Sequence, residues 1–62
     1  MLVALTERLP DHLRVVFVLH DLEGLSSQRV AMHLRIDEAT VRKLIREARL
    51  ALRRLWLAQT FG

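Results

Sequence analysis

Residues 25–49, LSSQRVAMHLRIDEATVRKLIREAR, decide the fold of this chain, because they read as two helices joined by a tight turn. Ser26 is a good N-cap for the first of these helices, and the turn covers about residues 35–37. Asp37 is expected to cap the second helix, which is rich in arginine and lysine. This arrangement predicts a helix-turn-helix, a unit that places its second helix in the major groove of DNA.

The flanking sequence is also helical in pattern and shows no strand alternation. A short first helix is expected before Pro10, and a second helix runs from there to about Leu22, with Gly24 just past its end. That second helix is apolar nearly all round, which predicts a buried central helix. The last helix runs to about Ala58, and its apolar positions recur at spacings of four and three: Val41, Ile45, Ala48, Leu52 and Leu55. The predicted fold class is all-α, with four helices, a helix-turn-helix and a long C-terminal recognition helix.

Size and composition restrict the classes of function. The 62 residues are enough for one domain, spanning residues 1–62. The absence of cysteine excludes disulfides and thiolate metal sites, and it fits a cytoplasmic setting. No apolar run approaches the length needed to span a membrane, so no membrane partner is expected.

The positive charge is concentrated in the second half of the chain. The formal net charge is +3, and seven of the ten lysines and arginines lie between Arg35 and Arg54. A small basic domain favours a polyanionic partner, and this clustering favours a functional basic face over a merely solvated surface.

Catalytic and metal chemistry are not expected. The three histidines lack the spacing of a metal motif, and the carboxylates form no catalytic pair. Ser26 and Ser27 are helix caps rather than nucleophiles. The sequence therefore predicts a non-enzymatic domain without a metal or another cofactor.

Three pieces of the chain carry a family resemblance. They are the LP at residues 9–10 with Arg14, Val16, Phe17 and Leu19; EGLSSQRVAMHL at 23–34; and TVRKLIREAR at 40–49. Together they resemble region four of bacterial sigma factors, most of all the extracytoplasmic-function type. The resemblance implies a domain that recognises the −35 promoter element and docks on the flap of the RNA polymerase β subunit. It also implies that the chain is part of a longer sigma factor, with Met1 introduced artificially.

The residues predicted to contact DNA lie mostly on the last helix. Arg42 and Lys43 are the best candidates to read base edges, while the other arginines would hold phosphates. The full predicted set is Gln28, Arg35, Thr40, Arg42, Lys43, Arg46 and Arg49.

The chain departs from the family at four positions of the helix-turn-helix. The family usually has glycine where this chain has Arg35, so Arg35 fits only if the backbone there avoids a positive φ. It usually has a small polar residue at Lys43, and arginines at Leu44 and Glu47. Glu47 places a negative charge among arginines expected to face phosphate.

A second hypothesis gives the domain a protein partner in place of most DNA binding. Leu50 and Leu57 fall opposite the apolar stripe of the last helix, Leu44 flanks that stripe, and Trp56 adds apolar bulk. These four residues are the predicted partner surface. The partner would be polymerase, an anti-sigma factor, the missing sigma domain or a second copy of this chain.

Overall fold

A computed structural model describes residues 5–61, and every regular element in this range is helical. Helix α1 is Asp11–Phe17 and continues as a π-helical turn, Val18–Leu22; α2 is Ser27–Leu34 and α3 is Glu38–Phe61. The predicted all-α class and the long last helix are confirmed. The predicted first helix, before Pro10, begins within residues 1–4, which lie outside the described residues; Leu5 and Thr6 are helical, and the count of four helices stays a prediction.

The end of the first helical segment is wound more loosely than an α-helix. The Glu23 amide donates to the Val18 carbonyl at 2.9 Å, a bond spanning five residues, and Gly24 then takes a φ of 79°. Glycine adopts this left-handed backbone conformation without steric cost, and the conformation ends the helix, as predicted. The His20 ring Nδ1 lies 2.8 Å from the Leu25 carbonyl oxygen and must donate to it, which holds the following loop against the helix.

The helix-turn-helix is defined by a cap at its start and a left-handed residue in its middle. The Ser26 hydroxyl accepts a hydrogen bond from the Arg29 amide at 3.1 Å, which confirms the predicted N-cap of α2. At the other end Arg35 has φ 60° and ψ 44°, and the Ile36 amide donates to the Ala31 carbonyl at 3.0 Å. The condition for tolerating Arg35, a backbone without a positive φ, is therefore not met, because this helix closure needs a left-handed residue.

The core consists of two apolar clusters that meet at Leu44. One cluster joins α1 to the middle of α3 and includes Leu5, Leu9, Leu13, Phe17, Ala48 and Leu52. The other joins α1, α2 and the first half of α3 and includes Val16, Val30, Ala31, Val41 and Ile45. Val16, Val30 and Val41 are fully buried, and each such side chain stabilises the fold by roughly 1.5–3 kcal/mol. The predicted apolar stripe of α3 is confirmed.

Helix α1 is not buried on all sides, which corrects the prediction of a buried central helix. Val15 is 40% exposed, and Leu22, at the end of the π-helical turn, is 45% exposed. Among the described residues, α1 packs on α2 and α3 through one side, and its opposite side remains open because the two other helices cannot surround it.

Candidate nucleic-acid interface

The packing of α2 against α3 presents the outer face of α3 to solvent. Val30 and Ala31 of α2 are buried against Val41 and Ile45 of α3. Because Val41 and Ile45 lie on one side of an α-helix, Arg42 and Lys43 between them point away from the core. The result is a helix-turn-helix whose second helix has one buried apolar side and one exposed basic side.

The predicted DNA-contacting residues are all exposed, and their DNA contact stays a prediction. They lie on α2, in the turn and on the first half of α3: Gln28, Arg35, Thr40, Arg42, Lys43, Arg46 and Arg49. Arg42, Arg46 and Arg49 follow one another at spacings of four and three and line a single open groove of about 430 Å³. Its other walls include His20, Ser27 and Ile45. The groove is therefore a basic surface beside the exposed side of α3.

Arg42 is held by a carboxylate at the start of its own helix. Its NH1 donates to Oε2 of Glu38 at 3.0 Å, a pairing that their spacing of four residues along the helix allows. The same Glu38 oxygen accepts a hydrogen bond from the Ser27 hydroxyl at 2.9 Å. The Ser27 contact crosses the turn and could not be read from helical spacing.

Arg49 has an ion-pair partner that lies 28 residues earlier in the chain. Its Nε and NH2 donate to the two carboxylate oxygens of Asp21 at 3.0 and 2.7 Å. This two-point hydrogen bonding with Asp21 raises the pKa of Arg49. A phosphate contact by Arg49 would have to compete with Asp21. No local sequence pattern signals this constraint, since the two residues lie 28 positions apart.

Lys43 and Arg46 differ from these two arginines. Both are exposed on α3, and neither has an ion pair with any residue among those the structure describes. They are therefore cations whose charge no carboxylate of the described chain neutralises at close range. Such side chains are available for phosphate or base-edge contacts without the loss of an internal bond.

The two residues of α3 that depart most from the family have different surroundings. Leu44 is half-buried and packs against both apolar clusters, so the structure gives it a packing role. Its predicted contact with a partner stays a prediction. Glu47 is exposed, and no ion pair joins it to another described residue.

The rest of the predicted partner surface is exposed on the second half of α3. Leu50 is 48% exposed, Trp56 53% and Leu57 37%. Arg53 and Arg54 are exposed between them. This part of α3 therefore presents apolar and basic side chains together, and the identity of a partner stays a prediction.

Residues 5–61 contain neither a metal-ligand cluster nor a membrane-spanning helix. No group of three or more histidine and carboxylate side chains is placed to hold a metal ion in this range. None of the helices described has both the length and the apolar character needed to cross a lipid bilayer.

The fold and the basic exposed helix define a helix-turn-helix domain of the DNA-binding class. A sequence model of the family described as sigma-70, region 4 matches residues 1–52. The chain therefore belongs to the sigma-70 region 4 family, whose members are DNA-binding domains of transcription-initiating sigma factors and not enzymes. Comparisons with curated proteins and with solved structures gave no match.

Proposed function

We propose that this domain recognises the −35 element of promoters as part of a sigma factor of the extracytoplasmic-function type, bound to RNA polymerase. The observation that supports this function best is the exposed basic side of α3. There Arg42 is held beside Lys43 and Arg46, two cations without an ion-pair partner among the described residues. An exposed basic helix that is the second helix of a helix-turn-helix is suited to bind in the major groove of DNA.

The roles within this surface follow from charge and position. Arg42 and Lys43 lie in the first two turns of α3, where a recognition helix contacts base edges. Arg46 lies one turn later in the basic groove and is assigned to phosphate. Arg35 in the turn and Gln28 on α2 are assigned to the flanking backbone.

A protein contact accompanies DNA binding in this proposal. Sigma factors act on RNA polymerase, and the exposed apolar residues of this domain provide surfaces for such a contact. Val15 and Leu22 lie on the first helical segment, and Leu50, Trp56 and Leu57 lie on the second half of α3. We assign the contacts with polymerase, with an anti-sigma factor or with a second copy of the chain to these surfaces and not to the basic groove.

The proposal is tested by fluorescence anisotropy with two duplexes, one selected in vitro by the chain from a random library and one of scrambled sequence. The wild type should prefer the selected duplex, and its affinity should fall steeply with salt, by about 0.9 log unit per log unit of salt for each phosphate contact. Arg42→Ala should cost on the order of 1–3 kcal/mol on the selected duplex and much less on the scrambled one.

Equal losses on both duplexes would reduce Arg42 to a phosphate contact. Failure of the selection to enrich any sequence would refute sequence-specific recognition by this chain. Arg54→Ala is the matched control, because Arg54 is exposed on the same helix beyond the basic groove. This change should alter neither the preference nor the selected sequence.

A further inference from the structure

The carboxylate of Glu38 connects the first turns of both helices of the helix-turn-helix. Its Oε2 accepts from Ser27, the first residue of α2, at 2.9 Å and from Arg42, one turn into α3, at 3.0 Å. Ser27 is itself fixed by the helix that it begins. The three side chains therefore form a continuous bridge from α2 to the Arg42 guanidinium.

This bridge restrains the side chain that is best placed to read a base. A free arginine has several rotatable bonds, and ordering them when DNA binds opposes association. The Arg42 side chain remains 60% exposed, and its bond to Glu38 uses one of five N–H donors. Two further donors are enough for a bidentate contact with guanine. Arg42 is thus ordered before binding and still free to bind.

The same carboxylate also acts against indiscriminate binding. A negative charge in the first turn of α3 repels phosphate, and its pairing with Arg42 weakens the pull of that arginine on any DNA backbone. Arg46 lines the same groove and has no ion-pair partner among residues 5–61. The chain therefore separates a restrained cation, Arg42, from a free one, Arg46.

We propose that Glu38 is a positioning residue that determines sequence specificity: anchored by Ser27, it orders Arg42 for base reading and lowers the affinity for DNA of arbitrary sequence. This role rests on the proposed function. It predicts that Glu38 changes the ratio of the affinities for correct and incorrect DNA, whereas a carboxylate acting only through its charge changes both affinities alike.

The experiment measures that ratio with the selected and scrambled duplexes at one salt concentration, using the 62-residue chain. In Glu38→Ala the ratio should fall by roughly fivefold or more, the effect expected for freeing one flexible side chain. Binding to the scrambled duplex should become tighter in the same variant. Ser27→Ala leaves the carboxylate in place, so it should reduce the ratio by less and leave scrambled binding unchanged. Glu38→Gln keeps an acceptor oxygen and should retain more of the ratio than Glu38→Ala.

Glu47→Gln is the matched control, since it removes a carboxylate from the same helix that makes no bond to Arg42. It should tighten both complexes equally and preserve the ratio. Circular dichroism at the assay temperature shows whether each variant is folded. If the Glu38 variants are unfolded, Ser27→Ala still tests the proposal. If the wild type, Glu38→Ala and Ser27→Ala all show the same ratio of affinities for the two duplexes, the role of Glu38 is refuted and the proposed function is not. A wild type that does not discriminate overturns the proposed function and this role together.

Discussion

Arg35 carries a backbone conformation that a residue with a side chain adopts only at a cost. Its φ of 60° and ψ of 44° lie in the left-handed region, where Cβ approaches the following carbonyl oxygen. This conformation costs roughly 1–2 kcal/mol for a residue other than glycine. Arg35 is exposed, so its replacement removes no core packing. Arg35→Gly should therefore relieve the strain.

The net gain in stability is smaller than the strain energy, because glycine also gives the unfolded chain more conformational entropy, which stabilises the unfolded state by about 0.4–1 kcal/mol. The difference predicts a stabilisation of about 0.5–1 kcal/mol for Arg35→Gly. In a domain of this size that corresponds to an increase in Tm of roughly 2–8 °C. Thermal and urea unfolding followed by circular dichroism at 222 nm, a helix wavelength, would measure both quantities.

Arg35→Ala is the control for the loss of the charge, because alanine keeps Cβ and therefore keeps the strain. Both variants should lose the same phosphate contact, if Arg35 makes one, with the same decrease in salt dependence of roughly one unit. Only the glycine variant should be more stable than the wild type. If Arg35→Gly were no more stable than Arg35→Ala, the left-handed conformation would not be the source of strain.

Two further predictions concern α3. Glu47→Arg should tighten DNA binding and steepen the salt dependence by roughly one unit, the value for one added phosphate contact; unchanged affinity and slope in salt titrations would show that Glu47 does not face DNA. Leu50→Glu combined with Leu57→Glu should abolish self-association, or the binding of a polymerase flap or anti-sigma peptide, in sedimentation experiments. The helicity of this double variant should stay intact, because both side chains are exposed. A wild type that stays monomeric and binds neither peptide would refute the partner surface.

Much of the fold could be predicted because its signals are local. The cap at Ser26, the glycine stop at Gly24 and the apolar stripe from Val41 to Leu52 each depend on residues within a few turns of one another. The pairing of Glu38 with Arg42 is likewise fixed by helical spacing. The basic side of α3 follows from the same periodicity, since residues that alternate with a buried stripe must face outward.

The remaining features depend on which segments the packing brings together. Asp21 meets Arg49 across 28 residues, and Ser27 meets Glu38 across the turn, only because the two apolar clusters fix α1 and α2 against α3. The same packing half-buries Leu44 where the two clusters meet.

By itself, the sequence determined the helices, the helix-turn-helix and the basic exposed face, because propensity, capping and periodicity act over short distances along the chain. Only the tertiary structure decided that Arg49 of that face is paired as well, with Asp21. It also decided that Arg35 must take a left-handed conformation. The pairing of Arg49 depends on the distance between side chains of two different helical segments, and the backbone at Arg35 depends on how α2 must end for α3 to pack against it.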